Sequence, residues 1–290
     1  MTIDIEPLRR QIGRKIEDED TVTRAPIKAM LATFDRQEKV PEEGEPIAPG
    51  WHLLYLHSYA RRAQLGRDGA AAEGGVLPRI PMPRRMYAGS TFAFEGDIRV
   101  GDKLKREIEF TDIQLREGST GTLVVTTQTR RLFTPRGLAM TEANSTVFRD
   151  DPKPGQKSGT PVREAAPTDV PWRRTITPDP VMLFRYSAIT FNPHRIHYDR
   201  TYCIETEGYP GLVVHGPFAQ QCIFDLLRDS NPGRQIKGMA VRARAPLFDV
   251  APFDVIGRPT ADSQGKVTGA ELWTVTPKGT IAAQATATFA

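Results

Sequence analysis

The sequence has 290 residues, of which 39% are hydrophobic, and its formal net charge is +4 at pH 7. This length suits one large domain or two of ordinary size, with enough apolar side chains for packed cores. The 39 basic residues are scattered among 35 acidic ones without a long basic run, so no nucleic-acid partner is indicated. The mildly basic balance is compatible with an anionic small ligand.

Hydropathy and cysteine content bear on location. The chain lacks an apolar stretch approaching the roughly 18 residues that span a bilayer, and its charged first residues do not resemble a secretory signal. We therefore expect no membrane partner. Cys203 and Cys222 match no CxxC metal or redox spacing, which favours two reduced thiols. These features predict a cytoplasmic protein.

The first 150 residues predict helices followed by strands. Helical patterns occupy 27–34 and 51–65. Strand-like alternation then covers 85–95, 103–114 and 121–133. Pro135-Arg136-Gly137 predicts a turn, because glycine tolerates positive φ, and a returning strand that ends at Phe148.

A linker separates this half from the next. Residues 151–170 are rich in Pro, Gly, Ser and charge and have no hydrophobic period. The chain is therefore divided into an N-terminal domain at 1–150, a linker at 151–170 and a C-terminal domain at 171–290.

The second half repeats the order of the first. Its helical patterns lie at 178–186 and 216–228. Its strand-like runs cover 237–248, 252–259 and 265–276. Pro277-Lys278-Gly279 predicts a hairpin whose last strand places Ile281, Ala283, Ala285, Ala287 and Phe289 on one face. Both halves thus predict an α+β fold, an antiparallel sheet around a helix, present twice by duplication.

Three of the five histidines, His194, His197 and His215, lie close together in the second half. Asn192-Pro193 predicts a loop before the first two, because the residue before proline avoids the helical region. Gly216 and Pro217 predict the first turn of an amphipathic helix directly after the third. The histidines therefore lie on loops next to a helix N-terminus.

These histidines have three interpretations. They are structural, or they form a metal site with Asp199, or they perform general acid–base chemistry beside the helix N-terminus. The metal interpretation lacks a HExxH helix and paired thiolates. A nucleophilic triad with Ser187 lacks a GxSxG elbow. The acid–base interpretation makes His197 a proton carrier.

Three stretches carry a resemblance to a known family: FNPHRIHYD at 191–199, GYPGLVVHGP at 208–217 and PRRMYAG at 83–89. They resemble MaoC-like acyl-CoA hydratases and dehydratases, and more narrowly the branch that contains mesaconyl-CoA and itaconyl-CoA hydratases and the type 2 3-hydroxyacyl-thioester dehydratase. The resemblance implies a tandem hotdog fold, in which antiparallel sheets are each wrapped around a central helix. It also implies a hydro-lyase whose substrate is an acyl-CoA thioester, with no other cofactor and no metal.

The chain departs from the wider family at one catalytic position. That family uses Asp-x-Asn-Pro-Ile-His, in which Asp and His share the catalytic water. Here the His role transfers to His197, whereas the Asp position is filled by Thr190 or Asn192, depending on the alignment. Asn192 can orient a water but cannot act as a base. His194 and Asp199 stay as candidates for a second proton carrier, although Asp199 also suits a helix cap.

The resemblance and the residue chemistry together predict the substrate contacts. By resemblance, the backbone N–H of Gly216 stabilises the oxyanion. Arg195 suits a carboxylate of the acyl group, since guanidinium binds carboxylate bidentately, and a short dicarboxylic acyl-CoA such as mesaconyl-CoA or itaconyl-CoA would supply it. The remaining predicted contacts are CoA phosphates at Arg84 and Arg85 and further substrate contacts at His215 and Tyr186.

Other functions stay open at this stage. The first is a (3R)-hydroxyacyl thioester dehydratase of fatty-acid type, and the second is a hotdog thioesterase. The third is a non-catalytic acyl-CoA-binding hotdog protein, which the missing Asp favours. A homodimer is possible because sheets of this kind pair edge to edge.

Overall fold

A computed structural model describes residues 3–71, 75–118, 121–151 and 164–290. The strands in these ranges are β1 Lys15–Thr21, β2 Arg84–Phe94, β3 Lys103–Gly118, β4 Gly121–Thr134, β5 Gly137–Arg149, β6 Trp172–Ile176, β7 Ile236–Ala243, β8 Phe253–Ala261, β9 Val267–Val275 and β10 Ile281–Phe289. They form one antiparallel sheet in the order β1-β3-β4-β5-β2-β7-β10-β9-β8-β6. Read outward from its centre, each half of the sheet has the same strand order, as a duplication produces.

The two halves of the sheet meet where β2 pairs with β7. Gly89 is opposite Arg242, and Phe92 is opposite Met239. A bulge in β2 lies just before Gly89, whose φ is 152°. A Cβ on Gly89 would lie 2.2 Å from the Val241 carbonyl oxygen, so only glycine allows this close approach.

The described helices are few and short except for one. They are α1 Glu6–Arg9, α2 Arg24–Thr33, α3 Pro180–Ile189 and α4 Gly216–Ser230. All residues from Phe218 to Leu227 are buried, because α4 packs between the sheet and the segment at 50–56. The helix predicted at 216–228 is therefore confirmed and forms the core of the second half. Among the described residues, no helix is long and apolar enough to cross a membrane.

The helix predicted at 51–65 is wrong. The chain forms only two short 3₁₀ turns there, Trp51–Leu54 and Arg62–Gln64. Leu56 adopts a positive φ of 59°, and its N–H bonds to Asp20 at 2.8 Å, which stops helical propagation. The segment packs Trp51, Leu54, Tyr55 and Leu56 into the core without a helix.

The two predicted hairpins are confirmed. β4 and β5 pair around the turn at 135–136, and β9 pairs with β10. In β10 the alanines at 283, 285 and 287 are buried, while Thr286 and Thr288 are exposed. The period of two therefore identified the correct face.

Part of the predicted linker, 152–163, lies outside the described residues. The part after it is bound to the second half: the Ala166 N–H donates to the Gly279 oxygen, and the Ile281 N–H donates to the Glu164 oxygen, both at 2.9 Å. The division at 1–150, 151–170 and 171–290 stays a prediction.

The close approach at the centre of the sheet predicts an effect on stability. We expect Gly89→Ala to lower the free energy of unfolding by about 2–4 kcal/mol, because a methyl group would meet the Val241 carbonyl in addition to an unfavourable backbone angle. Urea denaturation measures the change. Gly137→Ala is the matched control, since Gly137 also has a positive φ, 111°, but a Cβ there meets nothing within 4 Å. Equal losses in both variants would contradict the steric explanation.

Candidate active site

The histidine loop begins where α3 ends. The Thr190 hydroxyl donates to the Tyr186 carbonyl, Phe191 adopts a φ of 47°, and Pro193 follows, so the helix cannot continue. The Asn192 side-chain oxygen accepts from the His194 N–H at 3.0 Å. Asn192 therefore shapes the loop that places His194 and His197. The predicted loop character of this segment is confirmed.

His197 is buried and held through one ring nitrogen. Its Nδ1 lies 2.7 Å from the Val213 carbonyl oxygen, which can only accept, so Nδ1 carries the proton. Nε2 is left with its lone pair, and among the described residues none hydrogen bonds to it. Burial lowers the pKa of His197 to about 3, and His194 lowers it further against the hydrogen bond to Val213. The ring is a neutral acceptor near pH 7.

His215 and Tyr186 lie behind His197. The His215 ring stacks on the His197 ring with centroids 3.7 Å apart, and its Nε2 is 2.8 Å from the Ser187 hydroxyl. Tyr186 contacts the His215 ring edge-on at 4.9 Å. Both side chains are fully buried, and among the described residues the Tyr186 hydroxyl and the His215 Nδ1 have no hydrogen-bond partner. They support His197 from the side of the core.

Gly216 begins α4 directly after His215. The N–H groups of a first helical turn have no partner within the helix, and the helix dipole makes this end positive. Tyr87, from β2, covers this end: a Cβ on Gly216 would lie 2.4 Å from its ring. The Tyr87 hydroxyl donates to Gln220 at 2.6 Å. Glycine is therefore required at this position.

A carboxylate from the first half lies beside His194. Asp68 is buried, and its Oδ2 is 3.8 Å from the His194 Nε2. Arg85 holds both carboxylate oxygens, with Nε to Oδ2 at 2.9 Å and Nη2 to Oδ1 at 3.3 Å. The His194 and His197 rings meet edge to face at 5.4 Å. Nothing in the sequence around Asp68, an ordinary turn sequence, points to this location.

A cavity of about 550 Å³ lies next to Asp68 and Arg85. Leu77, Ile80 and Phe148 line its apolar part, while Asp68 and Arg85 lie at its charged end. The same two residues also line a narrow space that contains His194. The cavity volume is that of an ordinary small-molecule site.

Arg195 and Asp199 bind each other rather than the cavity. The Arg195 Nε and Nη2 donate to the Asp199 Oδ2 at 3.0 and 2.8 Å, and the guanidinium stacks on Tyr202. The Asp199 Oδ1 accepts from the Tyr202 N–H at 3.0 Å, so Asp199 caps the short helical segment at 200–206, as the sequence suggested. The surroundings therefore do not support a substrate clamp at Arg195 or a proton carrier at Asp199.

Arg84 and Arg85 also have protein partners. Arg84 is buried, with its Nε 2.6 Å from the Glu207 carboxylate, and Arg85 binds Asp68. Arg84 is therefore remote from a solvent-exposed phosphate, whereas Arg85 retains an exposed fraction of 30% beside the cavity.

The metal interpretation does not fit this geometry. Stacked His197 and His215 rings cannot direct nitrogens at one ion, and Asp199 is bound to Arg195. Among the described residues, no group of three His, Cys, Asp or Glu side chains is arranged to hold a metal.

Comparison with known proteins identifies the family. The profile of the hydroxyacyl-thioester dehydratase type 2 family matches residues 50–249. The mesaconyl-C(4)-CoA hydratase of Chloroflexus aurantiacus is 39% identical over 256 residues, covering 87% of this chain and 89% of that protein. A mitochondrial hydroxyacyl-thioester dehydratase type 2 of Schizosaccharomyces pombe is 37% identical over 81 residues, 27% of each chain. The chain belongs to the hydroxyacyl-thioester dehydratase type 2 family, as the resemblance predicted.

Solved structures agree on the fold. A MaoC-like dehydratase from Phytophthora capsici has a TM-score of 0.66 at 11% identity and covers 99% of both chains. A conserved hypothetical protein from Mycobacterium tuberculosis, described as a double hotdog fold, has a TM-score of 0.59 at 11% identity and covers 96% of both. The predicted tandem hotdog fold is confirmed. Family membership makes the chain a hydro-lyase of the acyl-CoA hydratase and dehydratase class.

The neutral histidines predict how stability depends on pH. Burial lowers the pKa of His197 to about 3 and of His194 to about 4, whereas histidines of the unfolded chain protonate below about pH 6.5. Between pH 6.5 and 4 the unfolded state therefore binds more protons, so stability is lost as the pH falls. Each such ring lowers the free energy of unfolding by about 1.4 kcal/mol for every pH unit below about pH 6.

Urea unfolding at pH 7.5, 6.5 and 5.5 measures this dependence. His197→Asn removes one such ring. The free energy of unfolding of this variant should therefore fall less steeply as the pH is lowered, by a slope that corresponds to about one proton. Identical slopes in the wild type and the variant would show that His197 is not buried in its neutral form.

Proposed function

We propose that the chain catalyses the reversible hydration of a short α,β-unsaturated acyl-CoA, with His197 as the base that holds the water. One observation carries this proposal: a neutral ring with an open Nε2 lies against the first turn of α4. The carbonyl of Val213 fixes the ring at Nδ1, and His215, the residue before Gly216, stacks on its face. A proton acceptor and an oxyanion donor are therefore neighbours.

The reaction needs only these parts and no metal or redox cofactor. The thioester carbonyl oxygen accepts from the Gly216 N–H, where the helix terminus stabilises the negative charge of the enolate. The His197 Nε2 accepts a proton of the water whose oxygen bonds to Cβ, and the π electrons move toward the carbonyl oxygen. A proton then reaches Cα and restores the thioester. In this mechanism Asn192 orients the water through its amide, and His194 is the second proton carrier.

The acyl group we propose is a small dicarboxylic one, such as mesaconyl-CoA. The Chloroflexus aurantiacus relative, 39% identical over most of both chains, bears the name of a mesaconyl-C(4)-CoA hydratase. Arg85, at the charged end of the cavity, supplies a cation near the path of the acyl group. Arg195 and Arg85 both bind a protein carboxylate, that of Asp199 and that of Asp68, but Arg85 is the one that lines the cavity, so it is the better candidate for that contact.

One alternative has an observation in its favour. The apolar part of the cavity and the family profile favour a (3R)-hydroxyacyl thioester dehydratase of fatty-acid type. Loss of enoyl-CoA absorbance over mesaconyl-, itaconyl-, crotonyl- and longer enoyl-CoAs separates the two, and no loss with any of them would favour a non-catalytic acyl-CoA-binding protein. The homodimer and the cytoplasmic location stay predictions.

The role of His197 gives a direct test. We expect His197→Asn to lower kcat for hydration by at least about 10²–10³-fold, because the asparagine amide replaces Nδ1–H but offers no group at Nε2. The enoyl-CoA absorbance assay measures it. His52→Asn is the matched control, since His52 is also a buried histidine with a lowered pKa but packs against Phe92 in the core, and it should retain activity within about twofold. A folded His197→Asn protein with near-wild-type turnover would refute the assignment.

The lowered pKa values also predict the pH profile of activity. A base must be neutral, and His197 and His194 protonate only near pH 3 and pH 4, so kcat/KM should stay level from pH 8 to about pH 5.5. Measuring kcat/KM at several pH values across this range tests the prediction. Half-loss of kcat/KM near pH 6.5 would mean that an ordinary exposed histidine, not this buried one, limits the reaction.

A further inference from the structure

The loop that carries the histidines has no free carboxylate. From 187 to 199 Asp199 is its one acidic residue, and both oxygens of Asp199 are engaged, Oδ1 by the Tyr202 N–H and Oδ2 by Arg195. Asn192, one of the two residues that align with the family's Asp, accepts a hydrogen bond from the His194 N–H. A carboxylate that takes part in this site must therefore come from another segment.

The position of Asp68 makes it the candidate for this carboxylate. It is 7% exposed, reaches within 3.8 Å of the His194 Nε2, and belongs to the first half of the chain. It also lies where the large cavity and the space around His194 meet, since it lines both.

The backbone around Asp68 is fastened to the histidine loop. The Arg195 N–H donates to the Asp68 carbonyl oxygen at 2.8 Å, and the Arg195 side chain donates to the Arg67 carbonyl oxygen at 3.1 Å. Gly69, with a φ of 82°, lies so close that a Cβ would be 2.3 Å from the Pro193 carbonyl oxygen. These contacts fix the position of Asp68 relative to His194.

The groups that face this pair set its charges. Asp68 faces Arg85 and His194, while His194 faces Asp68, Arg85 and the ring of His197. Burial acts to raise the pKa of Asp68, but hydrogen bonds and the charge of Arg85 hold it below its ordinary value. Burial lowers the pKa of His194 to about 4, and Asp68 opposes that effect. Asp68 is therefore an anion beside a neutral imidazole.

We propose that Asp68 is the carboxylate of this active site, contributed by the first half, and that it acts as a positioning residue for His194. A carboxylate facing Nε2 favours the tautomer that carries the proton there, which leaves the Nδ1 lone pair as acceptor. It also stabilises the imidazolium while His194 carries a proton on its way to Cα. Arg85 keeps Asp68 ionised and oriented. This role rests on the hydration reaction proposed above.

A double-mutant cycle on the full-length protein tests the proposal. We expect Asp68→Asn to lower kcat about 10–100-fold with KM changed less than about threefold, because it weakens proton transfer but not thioester binding. His194→Ala should cost at least as much. The double variant should then be no slower than His194→Ala alone, because Asp68 acts through His194. The enoyl-CoA absorbance assay measures all four proteins.

Two further variants separate a role in catalysis from one in folding. Asp151→Asn breaks the exposed ion pair between Asp151 and Arg67, the residue directly before Asp68, and should leave kcat unchanged. Asp68→Glu keeps the charge and should have a kcat between those of the wild type and Asp68→Asn. It also keeps the test available if Asp68→Asn fails to fold.

The outcomes distinguish this role from the function on which it rests. An active wild type with an unaffected Asp68→Asn, losses that add in the double variant, or no difference between Asp68→Glu and Asp68→Asn would overturn the role of Asp68 alone. A wild type inactive on every enoyl-CoA would overturn the proposed function and, with it, the role of Asp68.

Discussion

The pairing of β2 with β7 is the constraint on which the site depends. It joins two five-stranded halves into one sheet and brings β2 of the first half to the N-terminus of α4 in the second. Tyr87 of β2 then covers Gly216, and Arg85, two residues earlier and therefore on the same face of the strand, reaches Asp68. Gly89 permits the close approach of β2 to the Val241 carbonyl of β7. The site is a product of both halves, although the histidines belong to one.

The parts of the site that follow from local sequence were predictable. Asn192-Pro193 predicted the loop, Gly216-Pro217 predicted the helix start, and both are where the pattern placed them. Partners that depend on tertiary contact were not. Arg195 has the chemistry of a carboxylate clamp, but the carboxylate it meets is Asp199, one helical turn along the same segment. Asp68 carries no local signal, because its importance comes from a loop that docks on residues more than a hundred positions away.

The same distinction applies to the fold. Alternating strands and the long amphipathic helix α4 were predicted within a few residues, since their periods report a buried face directly. β1 and β6 were missed because they are the outermost strands of the sheet, with charged or short sequences that show little hydrophobic alternation. The 51–65 segment misled because closely spaced large apolar residues suggest a helix, whereas Leu56 takes a positive φ and bonds to Asp20.

The irregular segment at 51–65 marks the main structural difference between the two halves. In the second half the sheet encloses α4, whose N-terminus directly follows His215 and so lies beside His197. In the first half no helix of that length is described between α2 and β2; instead Gly50 packs against Gln221 and Phe224 of α4, and Arg228 lies over the Trp51 ring. Because the segment is anchored on α4 in this way, the chain that follows it continues toward the histidine loop, where 66–71 docks. The loop in this place brings Asp68 of the first half beside His194 and lets residues of the first half line the cavity.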